Sequence, residues 1–323
     1  MLTFGPVPSR RLGKSLGINN IPYKSCTYSC VYCQLGRSEK MNAERRPFYD
    51  PRQIYQSVAE KIDLSERAGE SMDYLTFVPD GEPTLDVNLE EEIDLIRAFN
   101  AKIAVITNSS LIHFDPVKAA LYKSDWVSVK VDTVIQQLWR KINRPHRSLD
   151  LETILESIID FRRHYRGTLV TETMLVRDLN DHENDIEKLL DYLKVVLPDV
   201  AYLSIPTRPP AEKWVQAPAE ESLIRAHQIL SSKLKSVEFL IGYEGNAFAV
   251  TGDVKKDLLS ITAVHPMREE AVAAFLKRAG SDWSVVDKLL QQNLIVKKEF
   301  QGKNFYARKL FFPRNRESNN RLE

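Results

Sequence analysis

The sequence predicts an α/β protein, a parallel sheet cased in helices and followed by a small C-terminal module of different texture. Three observations carry this. From about residue 50 to 240, β-branched and apolar runs alternate with amphipathic helical patterns, the mark of repeated βα units. After Gly252 that alternation stops, and three short helical patterns lead into two strand patterns. With 323 residues, 43% hydrophobic and 28% charged, the chain can bury a large core plus a satellite and is too apolar for wholesale disorder.

Taken in order, a first strand is expected over Ser15–Asn20. Strands then follow at Tyr74–Val78, Ile103–Thr107, Trp126–Val131, Leu169–Leu175, Tyr202–Ile205 and Val237–Ile241, each rich in β-branched and aromatic residues. Helices between them are expected near Ile54–Glu66, Leu89–Phe99, Pro116–Leu121, Leu151–Tyr165, Glu183–Val195 and Glu220–Leu234. Six or seven such units either curl into a full or partial barrel or lie flat as a doubly wound sheet, and periodicity alone does not choose. The core domain is placed at 1–252 and the satellite at 253–314, with a polar, flexible tail at 315–323.

In the satellite, helices at Leu258–Ala263, Arg268–Ala279 and Asp282–Gln291 precede strands at Leu294–Phe300 and Asn304–Phe312, joined through Gln301-Gly302-Lys303. That is the order of a winged helix. Trp283, Val285, Val286, Leu289 and Leu290 read as a buried face, leaving Lys288, Lys297, Lys298 and Lys303 for an outer one. From Lys255 onward there are 14 basic and 8 acidic residues, so the module could meet nucleic-acid phosphates, or dock a partner protein or act as a lid.

The whole chain carries a formal charge of only +1, which excludes a surface built throughout for polyanions. No run reaches the roughly 18 apolar residues of a membrane span, and the start lacks the basic-then-apolar order of a signal peptide. A cytoplasmic protein with no membrane role is expected. Its three cysteines all fall within eight residues, an arrangement that suits reduced thiolates on a metal better than disulfides.

Those residues form Cys26-Thr27-Tyr28-Ser29-Cys30-Val31-Tyr32-Cys33. Three thiolates can hold three corners of a cubane [4Fe–4S] cluster and leave the fourth iron open. A closed zinc site would need a fourth ligand; with no other cysteine, a histidine from His113 onward would have to supply it. Buried thiols without metal are the remaining alternative.

The loop resembles the cluster motif of radical S-adenosylmethionine (SAM) enzymes, in which the amino and carboxylate groups of SAM chelate the open iron. Tyr32 stands where that family carries an aromatic residue that packs on adenine. Pro79-Asp80-Gly81-Glu82-Pro83-Thr84-Leu85 resembles the family's Gly-Gly-Glu-Pro segment that receives the SAM amino group, with Asp80 where glycine is common. An Asp-Gly turn at a strand end is the plain alternative. The resemblance spans about residues 5 to 245 and implies a partial (β/α)6 barrel of TIM type with SAM at the C-terminal strand edge. Gly5-Pro6-Val7-Pro8-Ser9-Arg10-Arg11-Leu12-Gly13 and Thr207-Arg208-Pro209-Pro210 resemble single-domain relatives of wyosine-tRNA synthase. The synthase uses a second cluster on further cysteines, which this chain lacks, so its base chemistry is not carried over.

Along Trp126–Asp132, strand alternation puts Ser128, Lys130 and Asp132 on one face and the valines on the other. By the resemblance, Ser128 is a ribose contact, Lys130 a contact for the methionine carboxylate, and Asp132 points into the reaction chamber; solvent facing is the alternative. Asn108 is a further ribose candidate, and Ile205 offers its backbone to adenine. Arg208, held by the prolines after it, suits an anion, and with Asp132 it is a candidate to act on substrate. Thr171, Thr173, the segment Val176–Asp181 and Asn143-Arg144-Pro145-His146 are weaker site candidates, and Arg10, Arg11 and Lys14 place cations before the cluster loop.

Two functions compete. One is an iron–sulfur enzyme that cleaves SAM reductively, fed by an external electron donor such as flavodoxin or ferredoxin, acting on a tRNA base, a partner protein or a small molecule. The other is an iron–sulfur redox sensor that binds DNA through its winged helix.

Overall fold

In the computed structural model, residues 2–38, 41–78, 80–240, 248, 250, 252–264 and 266–309 are described. Pro79, Ile241, His265, Leu310–Phe312 and the expected tail at 315–323 lie outside them. Eight strands form one sheet in chain order. β1 (Thr3–Ser9) is antiparallel to β2 (Gly13–Ile18), and parallel pairing then runs through β3 (Tyr74–Phe77), β4 (Lys102–Thr107), β5 (Trp126–Lys130), β6 (Thr168–Met174), β7 (Val200–Ser204) and β8 (Val237–Leu240).

Helices α1 (Pro51–Arg67), α2 (Leu89–Ile96), α3 (Asp115–Tyr122), α4 (Gln136–Ile142), α5 (Leu151–His164), α6 (Glu183–Val196) and α7 (Glu220–Ser231) connect them. Local chemistry sets their starts. Asp50 accepts from the Arg52 N–H with Pro51 as the first helical residue, and Asp150 accepts from the Thr153 N–H. On α5, Ile154, Ile158 and Phe161 recur at helical spacing and are buried, each contributing about 1.5–3 kcal/mol of apolar burial.

The sheet curls into a partial barrel. Arg11, on the β1–β2 turn, pairs with Glu172 on β6, a contact that a flat sheet of this strand order would not allow. Curling gives the sheet two buried faces. Val127, Val129 and Val131 join Leu75, Ile103, Leu169 and Leu203 in the core beneath the helices, while Leu12, Ala104, Trp126, Val170, Tyr202 and Leu240 pack inside the barrel.

The C-terminal module contains α8 (Val254–Val264), β9 (Met267–Arg268), α9 (Glu269–Arg278), α10 (Ser284–Gln291), β10 (Ile295–Phe300) and β11 (Lys303–Arg308). Its strands form an antiparallel sheet in the order β10-β11-β9. Phe4 and Val7 of β1 belong to the same apolar cluster as Ile261, Phe275, Val286 and Tyr306, so the module seats on the barrel's first strand.

Several expectations need correction. β1 was not among the expected strands; as the edge of the sheet it tolerates Pro6 and Pro8, which lack an N–H. The short α4 was not foreseen, β9 adds a third strand to the module, and the first parallel strand begins at Gly13. The stretch expected as one helix over Leu89–Phe99 is α2 followed by a 3-10 turn, Arg97–Phe99, ended by Asn100 in the left-handed region.

Candidate functional site

The cysteine loop leaves the C-terminal end of β2 and is tied to the end of β3. Lys24 N–H donates to the Asp80 carbonyl at 2.7 Å, and Glu82 N–H donates to the Ser25 carbonyl at 2.9 Å. Gly81 is required for this approach, since a Cβ there would lie 1.8 Å from the Ser25 carbonyl oxygen. Its place in the motif is therefore explained by the loop it admits.

Each thiol accepts from a nitrogen donor. Asn108 Nδ2 lies 3.6 Å from Cys26 Sγ, Asn143 Nδ2 3.5 Å from Cys30 Sγ, and Lys24 Nζ 3.1 Å from Cys33 Sγ. Burial pushes the metal-free Cys26 and Cys30 thiols up to about 12, so a bound metal must displace their protons. Three thiols on one loop, each sulfur facing an N–H donor, fit an iron–sulfur cluster, whose sulfurs take such bonds. Among the described residues, no three or more His, Cys, Asp and Glu converge on a single ion. A cubane spreads its thiolates over three irons and needs no such convergence.

Beside the loop opens a cleft of about 260 Å³. Tyr32, Cys33, Lys130, Ile205 and Arg208 all line it. Lys130 Nζ sits 5.3 Å from the centre of the Tyr32 ring and 3.3 Å from Glu172 Oε1. Glu172 also takes Arg11 and, at 3.2 Å, the Ser204 hydroxyl. Burial alone would raise the Glu172 pKa, but Lys130 and Arg11 outweigh it and hold the carboxyl at about 2. Burial works against the Lys130 charge too, yet Glu172 and Asp132 leave its pKa above the ordinary value.

Asp80 borders an adjoining cavity that shares Arg11, Gln34 and Arg208 with the cleft. Its Oδ2 accepts from Asn19 at 3.0 Å, while its buried Oδ1 has no partner among the described residues, and burial pushes the carboxyl up to about 6. An oxygen left so suits an incoming ammonium.

Other expected ligands are occupied internally. Glu82 Oε1 accepts from the Thr84 N–H and hydroxyl and the Thr107 hydroxyl, and Oε2 from the Asn108 N–H. It braces the end of β3 to the end of β4. Asn108 donates to Thr27 at 2.8 Å as well as to Cys26, so it holds the cysteine loop. Ser128 is on the barrel's inner face but lies deeper than the cleft lining.

Asp132, expected to enter the chamber, is only 4% exposed. Its Oδ1 accepts from Met174 N–H at 2.8 Å, and its Oδ2 from Asn143 at 2.6 Å and from the Tyr32 hydroxyl. It fixes Tyr32. Lys14 turns away to Glu70 at 2.8 Å, at the opposite end of β2 from the cysteines. Thr173 donates to the Val131 carbonyl at 2.7 Å and Thr171 is buried on the same helix-facing side, so their neighbour Glu172 is the inward residue. Arg144 meets Glu212, which Arg37 also clamps at 2.6 and 2.7 Å, joining three loops at the mouth. Glu172, Glu212 and Asn19 were not singled out from the sequence.

Fold and site together define a partial-barrel α/β protein that presents three thiols beside a cation-lined cleft at its C-terminal strand edge. The family model for the radical SAM superfamily matches residues 20–193, and the chain belongs to that superfamily and to its UPF0026 proteins. A UPF0026 protein of Methanocaldococcus jannaschii is 45% identical over 311 residues, 96% of each chain. One from Helicobacter pylori (strain J99) is 32% identical over 69% of this chain and 71% of its own. Among solved structures, a radical SAM methyltransferase from Sphaerobacter thermophilus aligns over 70% of this chain and 66% of its own, with TM-score 0.53 and 16% identity. TYW1 with a lysine–pyruvate adduct bound aligns over 68% and 74%, with TM-score 0.51 and 16% identity. These two likenesses are of fold.

Proposed function

We propose that the protein is an enzyme that holds a [4Fe–4S] cluster on Cys26, Cys30 and Cys33 and cleaves SAM reductively to begin radical chemistry. When bound, cluster and SAM together supply a 5′-deoxyadenosyl radical. The observation that carries the reading is the trio of thiols, each facing an N–H donor, beside a cleft lined by Tyr32 and Lys130.

The chain's own residues would bind and orient. The free Asp80 oxygen would take the SAM ammonium, Lys130 its carboxylate, and the Tyr32 ring with the Ile205 backbone its adenine. Glu82, Gly81 and Asn108 would hold the loop in place, with Asp132 fixing Tyr32. An external flavodoxin or ferredoxin would deliver the electron in the cytoplasm.

The sensor reading draws on Lys297, Lys298 and Lys303, which are exposed on β10 and β11 as a DNA-facing wing would need. The Asp80 and Lys130 placements favour the enzyme, because a sensor has no use for them.

Anaerobic reconstitution, reduction and addition of SAM separates the two. The enzyme yields 5′-deoxyadenosine, and the sensor yields none. Cys30→Ala is expected to stay folded while losing the broad visible absorbance of the cluster and all SAM cleavage. Zinc in place of iron and sulfide in anaerobically purified protein would overturn the assignment.

A further inference from the structure

The three nitrogen donors that face the cysteine thiols are not alike. Cys26 meets the neutral amide of Asn108, whose backbone N–H donates to the buried Glu82 carboxylate at 2.7 Å. Cys30 meets the amide of Asn143, which also donates to the buried Asp132 at 2.6 Å. Two sulfurs thus face neutral amides that are themselves tied to acids. Cys33 instead faces the ammonium of Lys24, with Nζ 3.1 Å from Sγ.

Lys24 stands at this sulfur by construction of the loop. It is only 9% exposed, and its backbone takes the left-handed conformation, φ 62°, which is uncommon for lysine. Its N–H donates to the Asp80 carbonyl at 2.7 Å, and the next N–H, of Ser25, closes on the Pro22 carbonyl at 3.1 Å. Glycine would take that backbone at less cost, so the turn itself does not call for a lysine. An ammonium out of water is costly unless negative charge stands beside it, and a neutral thiol is a weak acceptor. A thiolate on a bound cluster supplies that charge.

We propose that Lys24 tunes the cluster through Cys33, its charge favouring the state that holds one more electron and so bringing reduction within reach of the external carrier. This rests on the enzymatic reading of the same loop. The step takes one electron from the carrier, which is oxidised, into the cluster, which is reduced, and no atom or proton moves with it. Net local charge and hydrogen bonds to the sulfurs both set such a potential, and Lys24 contributes to each.

The test is a potentiometric titration of the anaerobically loaded protein with titanium(III) citrate, read by the electron paramagnetic resonance signal of the reduced cluster. It is run without SAM, because the Lys24 charge also acts on Asp80, the contact assigned to the SAM ammonium. At the midpoint of the unaltered protein, Lys24→Gln should lower the ratio of reduced to oxidised cluster by about tenfold, a shift of about 59 mV to more negative potential for a one-electron couple. Lys24→Arg, which keeps the charge, should retain most of the original midpoint. Lys188→Gln, on the exposed face of α6, should leave it unchanged. Iron and sulfide per chain and the melting temperature are read on the same samples. An unchanged midpoint in fully loaded Lys24→Gln, or an equal shift in Lys24→Arg, would sink the proposal. Loss of loading in both Lys24→Gln and Lys24→Met would overturn it as well, by making the lysine a structural part of the loop. Failure of the unaltered protein to take up a cluster would instead count against the enzymatic reading.

Discussion

Gly81→Ala is the sharpest test of how the cysteine loop is held. An added methyl would sit 1.8 Å from the Ser25 carbonyl oxygen and 2.6 Å from its carbon, against a floor of 3.0 Å for real Cβ contacts. The obstacle is backbone, so no rotamer relieves it, and the loop must retreat by more than 1 Å one residue before Cys26. Two backbone hydrogen bonds, Glu82 to Ser25 and Lys24 to Asp80, are strained or lost at about 1 kcal/mol each. Overpacking adds about 1–3 kcal/mol. A destabilisation of about 3–5 kcal/mol lowers the melting temperature of a chain this size by roughly 4–7 °C. The functional effect should be larger than the thermal one, because three thiols must meet one cluster. Iron and sulfide per chain after anaerobic reconstitution are expected to fall to under half of the unaltered protein's. Full loading together with an unchanged melting curve would show that Gly81 has another purpose.

Two buried carboxyls give opposite pH signatures. Glu172, held at about 2 in the fold against the usual carboxylate value of about 4.3, contributes stability that is complete above that value and is lost as pH falls toward 2. Glu172→Gln should cost about 3 kcal/mol at pH 7 by leaving Lys130 and Arg11 facing a neutral group, and should flatten the acid limb of a urea-melt series. An acid limb identical to the unaltered protein's would contradict this. Glu92, buried with an Oε1 that has no partner among the described residues and pushed up to about 9, keeps its proton in the fold while the unfolded chain gives it up. Stability should therefore decline between pH 4.5 and 9, by roughly 3–5 kcal/mol at pH 8. Glu92→Gln, which retains an acceptor for Asn20, should be the more stable protein at pH 8 and lose that slope; a less stable variant at pH 8 would count against it.

What the sequence revealed and what it hid follow from where polarity is informative. The cysteine spacing and Asp80-Gly81-Glu82 were legible because few folds need those residues so placed. Strand parity was legible on β5, where Ser128 and Lys130 interrupt valines, and not on β6. There Thr171, Glu172 and Thr173 are all polar, both sheet faces are buried, and Thr173 stands beneath the helices where a valine could, its hydroxyl bonding to a neighbouring carbonyl. β1 was hidden by its prolines. The roles of Glu82, Asn108 and Asp132 were illegible for a different reason: a carboxylate or amide that grips a ligand and one that grips the backbone look alike until their partners are known. Here those partners are Thr84, Thr107, Thr27 and Met174.

The pairing inside the barrel bears on how Lys130 serves a ligand at all. A lysine buried alone tends to shed its proton, and Glu172 prevents that. Yet a lysine committed to one carboxylate is poorly placed to accept another. Arg11 resolves the conflict, since it reaches the second Glu172 oxygen from the β1–β2 turn. Glu172 then remains compensated while Lys130 swings toward an incoming carboxylate. Arg11→Gln should therefore weaken SAM binding by about tenfold even though the assignments above give Arg11 no contact with SAM. A Glu172→Gln/Arg11→Gln double variant removes the competitor, and with Asp132 still beside Lys130 to favour its charge it should recover most of that loss. If the double variant binds SAM as weakly as Arg11→Gln alone while remaining folded, the two residues do not act through Lys130.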